Sequence, residues 1–367
     1  MDPLPTVRIE RVERFVASMP LRRPFRSAGG DLATRDVLFV RVRTDRGDGW
    51  GECAALPSPT YTEEWLAGAD AVLAQHLGPR VTGRALAPGQ VSVALADVVG
   101  HHMAKAALAT AVLDASLRAE GRSFADWLGV QGERIEVAAA VGLHDRVDDV
   151  AAEAAERVEE GYRHLKLKVV PGRGPALVAA VRERVEDLAV LRVDANGSYG
   201  SGDTDELYEL DDLGLAMVEQ PYPADRWGAL GQMAADLQTP ICLDESIRSV
   251  HDLDTALELR ACGVVNVKAG RVGGIYQAIE LQERCGDTGL RAWLGGMLET
   301  GVGRTAAVAL AALPGFTDPG DTSASDRYWD DDLTEPFVLE DGHLFVRDDP
   351  GIATPDESRL HPLGDAP

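Results

Sequence analysis

The sequence predicts an α/β protein in two parts, a closed parallel (β/α) barrel preceded by an α+β domain. Three observations carry this expectation. Five charged residues, Lys168, Asp194, Glu219, Asp244 and Lys268, recur at steps of 26, 25, 25 and 24 residues. Each closes a short apolar run (HLKLK, LRVD, AMVE, ICLD, VVNVK), and a polar, helix-like segment follows each run. The rhythm begins only near Ile135; the residues before it read as a β meander with helices. A repeated strand–helix unit of this length favours a parallel barrel over an open sheet. In a barrel the carboxyl ends of the strands share one rim, where such folds place their chemistry.

In chain order, the first β-like runs are Val7 to Val16, Val37 to Thr44 and Gly49 to Cys53. The turn Asp45-Arg46-Gly47-Asp48-Gly49 joins the last two as a hairpin. Between the first two lies Arg22-Arg23-Pro24-Phe25-Arg26-Ser27-Ala28-Gly29-Gly30, whose glycines and basic residues suggest a mobile loop. Helical periodicity covers Thr62 to Leu77 and Met103 to Ala119. The barrel strands expected are Ile135–Val141, His164–Val169, Val190–Asp194, Ala216–Glu219, Ile241–Asp244, Val264–Lys268 and Leu290–Leu294, with a helix in every gap and another over Val302–Leu313. The eighth strand is indistinct, with Thr317 to Asp321 as a degenerate candidate. Phe337–Leu339 and His343–Val346 flank Glu340-Asp341-Gly342 as a terminal hairpin expected to fold back on the first domain. The boundaries expected are 1–130 for the α+β domain, 131–325 for the barrel and 326–367 for the returning segment.

Composition narrows the function. A chain of 367 residues, 45 % hydrophobic and 26 % charged, accommodates one large barrel plus a smaller domain. It contains no apolar run of about 18 residues, so no spanning helix is expected. The N-terminus MDPLPTVRIERVERF is charged and lacks an apolar core, so it does not read as a signal peptide, and cytoplasm is the expected compartment. Four cysteines (Cys53, Cys242, Cys262, Cys285) show no C-x-x-C spacing. A net charge of −24 repels nucleic acid and anionic membrane, so neither is an expected partner. Three further features carry no chemistry: His101-His102 before a helix, Asn196-Gly197-Ser198 without a secretion signal, and Gly270-x-x-Gly273-Gly274 without a P-loop ending.

Asp194, Glu219 and Asp244 offer only hard oxygen ligands, which favours Mg²⁺ or Mn²⁺. Any one of them alone would read as a helix cap. Three at matched intervals, each at a strand end, point to a shared site. Lys166 and Lys168 are two apart and face the same side of their strand. Burial and like charge would lower a lysine pKa and let one act as a base. Lys268 falls across the barrel. A divalent cation, two lysines and a carboxylate substrate suggest removal of a carbon-bound proton, with the resulting enediolate stabilised where its charge develops.

The motifs Lys166-Leu167-Lys168, Asp194-Ala195-Asn196, Glu219-Gln220-Pro221, Asp244-Glu245-Ser246, Lys268 with Arg271-Val272-Gly273-Gly274, Gly295-Gly296-Met297-Leu298-Glu299-Thr300-Gly301 and Ser325-Asp326-Arg327-Tyr328-Trp329 resemble the enolase superfamily, muconate-lactonising subgroup, over essentially the whole chain. Within it the chain is most similar to the o-succinylbenzoate synthase / N-succinylamino acid racemase family. The resemblance implies a modified TIM barrel, (β/α)7β-like, with an N-terminal α+β capping domain, and a homo-oligomer. It implies Mg²⁺ on Asp194, Glu219 and Asp244, supported by Asn196 and Glu245. Lys168 would abstract the α-proton of 2-succinyl-6-hydroxy-2,4-cyclohexadiene-1-carboxylate and return a proton to the leaving hydroxyl, giving 2-succinylbenzoate for menaquinone synthesis. Lys268 would stabilise the enediolate. In the alternative, N-succinylamino acid racemisation, both lysines would act as bases on opposite faces of the carbon. Gly296, Met297 and Leu298 would meet the succinyl tail, Arg271 resembles a position behind the site associated with the racemase branch, and the segment 24–30 with the turn around Leu56 and Tyr61 would cap it. Two departures stand out. Asp318-Pro-Gly-Asp321 lacks the Asp-x-Asp spacing of dipeptide epimerases, and Ala140 replaces a small polar residue near the first barrel strand's end. A catalytically silent barrel acting as a binding module is the remaining alternative, and the intact lysines and acids speak against it.

Overall fold

Apolar residues alternate along the start of the chain, and they fold into an antiparallel meander of β1 (Val7–Ser27), β2 (Gly30–Thr44) and β3 (Gly47–Cys53). The computed structural model describes residues 3–28, 30–130 and 132–364. β2 is buried on both faces. Val37 and Phe39 join the core shared with the barrel, while Leu38, Val40 and Val42 join a second core with the helix His102–Glu120. That helix presents Ala104, Ala107, Ala111 and Ala115, small residues spaced to form one stripe. The stripe lies directly on Gly49 and Gly51 of β3. A Cβ on Gly51 would come within 2.0 Å of the Ala107 carbonyl oxygen, so Gly51→Ala would push the helix off the sheet.

Residues 22–27 form an extended arm paired with β2, where the composition suggests a mobile loop. β1 and β2 stay paired through Phe25↔Leu32, Arg26↔Asp31 and Ser27↔Gly30, with one irregularity between Pro20 and Phe25. Prolines cannot donate to a ladder, which accounts for the irregularity. Arg26 then ties the arm to the barrel through Asp145, at 2.8 Å. Gly29 lies outside the described residues.

The barrel contains β4 (Ala138–Val141), β5 (His164–Lys168), β6 (Val190–Asp194), β7 (Val218–Glu219), β8 (Ile241–Leu243), β9 (Val264–Val267) and β10 (Arg291–Leu294), all parallel and in chain order around one sheet. Helices fill each gap, from Val147–Glu159 to Ile275–Thr288, and Gly301–Ala311 follows the last strand. The run Ile135–Val141 divides in two: Arg134–Glu136 leaves the barrel and pairs with His343–Phe345. The degenerate eighth strand closes the ring without a regular ladder. Thr317 N–H donates to the Ala292 carbonyl at 2.8 Å, and Ala138 N–H donates to the Gly320 carbonyl at 2.7 Å.

The terminal hairpin does not form as the sequence suggests. Phe337 makes no strand, because Ser325 takes both its backbone groups: Ser325 N–H donates to the Phe337 carbonyl at 2.9 Å, and Phe337 N–H donates to the Ser325 hydroxyl at 3.0 Å. The chain reaches the capping sheet later, where His361–Pro362 pair with Val16 and Phe15.

Candidate active site

Parallel pairing converts the sequence interval into a site. The register sets Lys168 beside Asp194 and Asp194 beside Glu219, and it aligns Glu219 with Cys242, two residues before Asp244. Parallel strands in this register therefore deliver the charged residues at their carboxyl ends to one rim. Gln220 fixes the next link. Its Oε1 accepts from the backbone N–H of Asp244 at 3.0 Å and of Ser246 at 3.2 Å, and its Nε2 donates to the Ser246 hydroxyl at 2.8 Å.

Above this rim lies a cavity of about 560 Å³ bordered by the capping domain. Ten of the expected site residues line it: Lys166, Lys168, Asn196, Glu245, Lys268, Gly296, Met297, Leu298, Leu56 and Tyr61. Phe25 and Leu32 of the extended arm also reach it, as do Ala140 and Tyr328. Asp194, Glu219, Asp244 and Arg271 lie directly beneath the wall, each buried.

The charges beneath the cavity are tightly paired. Lys168 Nζ donates to Asp194 at 2.6 Å and to Asn196 Oδ1 at 2.7 Å, and the Asn196 amide donates to Glu245 at 3.0 Å. Lys268 Nζ donates to Asp244 at 2.9 Å and to the Tyr61 hydroxyl at 3.1 Å. Arg271 bonds Asp244, and it donates to the Tyr61 hydroxyl at 2.6 Å. Lys166 lies 3.1 Å from Asp194, 3.3 Å from Glu219 and 2.7 Å from Asp321. Asn266 donates to the other oxygen of Glu219 at 2.7 Å.

This pairing moves Lys166 and Lys268 upward, against the effect of burial and like charge alone. Burial works against the Lys166 ammonium, but Asp321, Glu219 and Asp194 outweigh it and hold the group above the usual lysine range. Lys268 moves the same way: burial is offset by the Tyr61 oxygen, Asp321, Glu219 and Glu245. Like charge between lysines is the minor effect because more carboxylates than lysines crowd the rim. Burial also raises Asp194, yet Lys168 and Lys166 bring it below the ordinary carboxylate range. Glu245 is pushed up by burial and by Asp194.

The same excess of acid bears on a metal. Among the described residues, no three His, Cys, Asp or Glu side chains converge as an ion cage, because the carboxylates face ammonium groups. The donor chemistry nevertheless fits a hard divalent cation. The ligand atoms are all carboxylate oxygens, and among the described residues the buried Oε2 of Glu245 has no hydrogen-bond partner.

Asp321 is the site residue that the sequence did not single out. It is buried, bonds Lys166 and accepts the Gly296 backbone N–H at 2.7 Å. Its spacing from Asp318 is uninformative; the signal is its place next to Gly320, on the strip that closes the barrel.

The capping sheet, the ring of parallel strands and the charged rim define a two-domain barrel enzyme of the enolase type. Residues 149–357 match the family described as enolase C-terminal domain-like, and residues 10–129 match the mandelate racemase / muconate lactonizing enzyme N-terminal domain. The chain is 44 % identical to an N-succinylamino acid racemase from Amycolatopsis sp., over 94 % of each chain. It is 40 % identical to an o-succinylbenzoate synthase from Bacillus subtilis (strain 168), again over 94 % of each. A solved enolase-superfamily protein from Listeria innocua Clip11262 superposes with a TM-score of 0.91 at 36 % identity, covering 96 % of each chain. The chain belongs to the enolase superfamily, in its o-succinylbenzoate synthase / N-succinylamino acid racemase family. Enzymes of this superfamily are in general Mg²⁺-dependent. Among the described residues no helix is long and apolar enough to cross a membrane.

Proposed function

We propose that the protein is an o-succinylbenzoate synthase, dehydrating 2-succinyl-6-hydroxy-2,4-cyclohexadiene-1-carboxylate to 2-succinylbenzoate in menaquinone biosynthesis. The observation that carries this is one cavity lined by Lys168 and Lys268, above three buried carboxylates. The strands that carry the two lysines are four steps apart in a seven-stranded ring, so the amines approach a substrate carbon from facing walls.

Asp194, Glu219 and Asp244 would hold Mg²⁺, or Mn²⁺ in its place. Bound there, the ion supplies positive charge beside the substrate carboxylate. Lys168, aimed by Asn196 and Asp194, removes the α-proton and then delivers it to the departing hydroxyl on the same face. Lys268 stays an ammonium and stabilises the enediolate, a role that its raised affinity for a proton suits. Tyr61 and Arg271 hold Lys268 and Asp244 in place from above and behind. Gly296, Met297 and Leu298 take the succinyl tail. A cytoplasmic homo-oligomer acting on this small carboxylate completes the proposal.

Likeness to the Amycolatopsis racemase favours a second activity, racemisation of N-succinylamino acids by the same two lysines. The test follows both reactions on one preparation with Mg²⁺: loss of cyclohexadiene absorbance for dehydration, and circular dichroism of an N-succinylamino acid for racemisation. Dehydration at about 1 per second or faster, within the usual enzyme range, supports the synthase. Absence of dehydration with rapid racemisation would replace it by the racemase.

A further inference from the structure

Arg35 lies on β2, far from the lysines in sequence, and its side chain is fully buried. Among the described residues no carboxylate accepts from it. Its guanidinium donates to three backbone carbonyls instead: Ala54 at 3.2 Å and Ala55 at 3.3 Å, both from the capping domain, and Leu298 at 3.3 Å, from the barrel. Burying a guanidinium on neutral acceptors is costly, and burial draws this one below the usual arginine range despite the nearby Glu52 and Glu299 carboxylates. An apolar side chain in the same seam would avoid that desolvation. The three carbonyls show what the arginine accomplishes. Ala54 and Ala55 lead straight into Leu56, Leu298 carries its own carbonyl, and both leucines line the cavity.

Leu298 adds a second observation. Its φ is 59°, the left-handed region that a branched side chain seldom occupies. Such a conformation persists where neighbours over-determine it, and these places cluster at ligand clamps. Here the next carbonyl, of Glu299, accepts from Arg304 at 2.6 Å and from the Trp329 ring N–H at 3.2 Å. The Glu299 carboxylate accepts the Met297 N–H at 2.8 Å. From the capping domain, Glu52 accepts from Thr300, two residues beyond Leu298, and Arg35 holds the Leu298 carbonyl itself.

We propose that Arg35 is a positioning residue for substrate specificity: it fixes the Leu56 turn of the capping domain against Leu298 of the barrel, and so sets the space for the substrate's acyl tail. This rests on the tail-binding role proposed above for residues 296–298. A planar fork spans two segments at once, whereas a lysine ammonium in the same place reaches one of them.

The test uses full-length wild type, Arg35→Lys and Arg35→Met, with thermal melts to confirm folding. Binding of 2-succinylbenzoate and of benzoate, which lacks the tail, is measured by calorimetry with Mg²⁺ present. Wild type should prefer 2-succinylbenzoate, and both variants should lose at least tenfold of that preference, with Arg35→Lys retaining more than Arg35→Met. In the absence of ligand, amide hydrogen exchange should rise in both 54–61 and 296–300 and stay unchanged in the β2–β3 ladder. Equal weakening of both ligands, or faster exchange with the preference intact, reduces Arg35 to a structural tether and overturns the proposal. Unchanged exchange overturns it as well. Wild type that binds neither ligand overturns the synthase reading and, with it, the tail-specificity role.

Discussion

Lys166 and Asp321 meet at 2.7 Å in the cavity wall, joining the second barrel strand to the strip that closes the barrel. Asp321 also holds the Gly296 backbone, so one buried carboxylate couples the lysine pair to the loop proposed to bind the substrate tail. Asp321→Ala leaves a buried ammonium short of one partner and a backbone donor without any. Such losses cost about 3–5 kcal/mol. Urea denaturation should show a loss of that order. Asp321→Asn, which keeps an acceptor for Gly296, should lose less than half as much.

Asp194, Glu219 and Asp244 predict metal-linked stability. An ion that binds only the folded protein stabilises it by about 2.7 kcal/mol at a hundredfold excess over Kd. Mg²⁺ should therefore raise the melting temperature by several degrees, and EDTA should reverse the change. Asp244→Asn should abolish the response, read by calorimetry without any substrate.

Glu52 predicts a pH effect away from the rim. Its carboxylate accepts from the Thr300 hydroxyl at 2.7 Å and from the Gly303 N–H at 2.9 Å, where a barrel helix begins. Burial pushes its pKa up to about 7, assisted by the facing Glu299 and opposed by Thr300, Arg35 and Gly303. Because the folded pKa exceeds the unfolded one, the stabilisation is fully present below the unfolded pKa. It is lost as pH rises through about 7. Asp114, raised to about 6 by burial, acts in the same direction. Melting temperatures should fall between pH 5 and pH 8, and Glu52→Gln should reduce that fall by about 2–4 °C.

Much of the barrel and its charged rim was legible because both follow from a local period. A strand–helix unit repeats, and parallel register then brings Lys168, Asp194 and Glu219 together with no further information. What escaped depends on contacts between segments distant in sequence. Arg22–Gly30 resembles a loop in composition, yet β2 and Asp145 hold residues 25–27 extended. Phe337 looks like a strand residue until Ser325 claims its backbone. Asp321 and Arg35 look ordinary in sequence; only closure of the barrel and docking of the cap give them partners. The upward shift of Lys166 and Lys268 was not legible for the same reason, since the number of carboxylates around each amine is a property of the assembled rim.

The lysine pair offers the most direct test of the proposed chemistry. Each enantiomer of an N-succinylamino acid is incubated in deuterium oxide with Mg²⁺, and loss of the α-proton signal is followed by NMR for wild type, Lys168→Ala and Lys268→Ala. Two bases on facing walls predict that wild type exchanges both enantiomers. Each variant should lose exchange of one enantiomer by about 10²-fold or more, the scale of general-base catalysis, and the two should fail on opposite enantiomers. Exchange that survives both substitutions, from folded protein, would contradict lysine proton abstraction as the basis of this site.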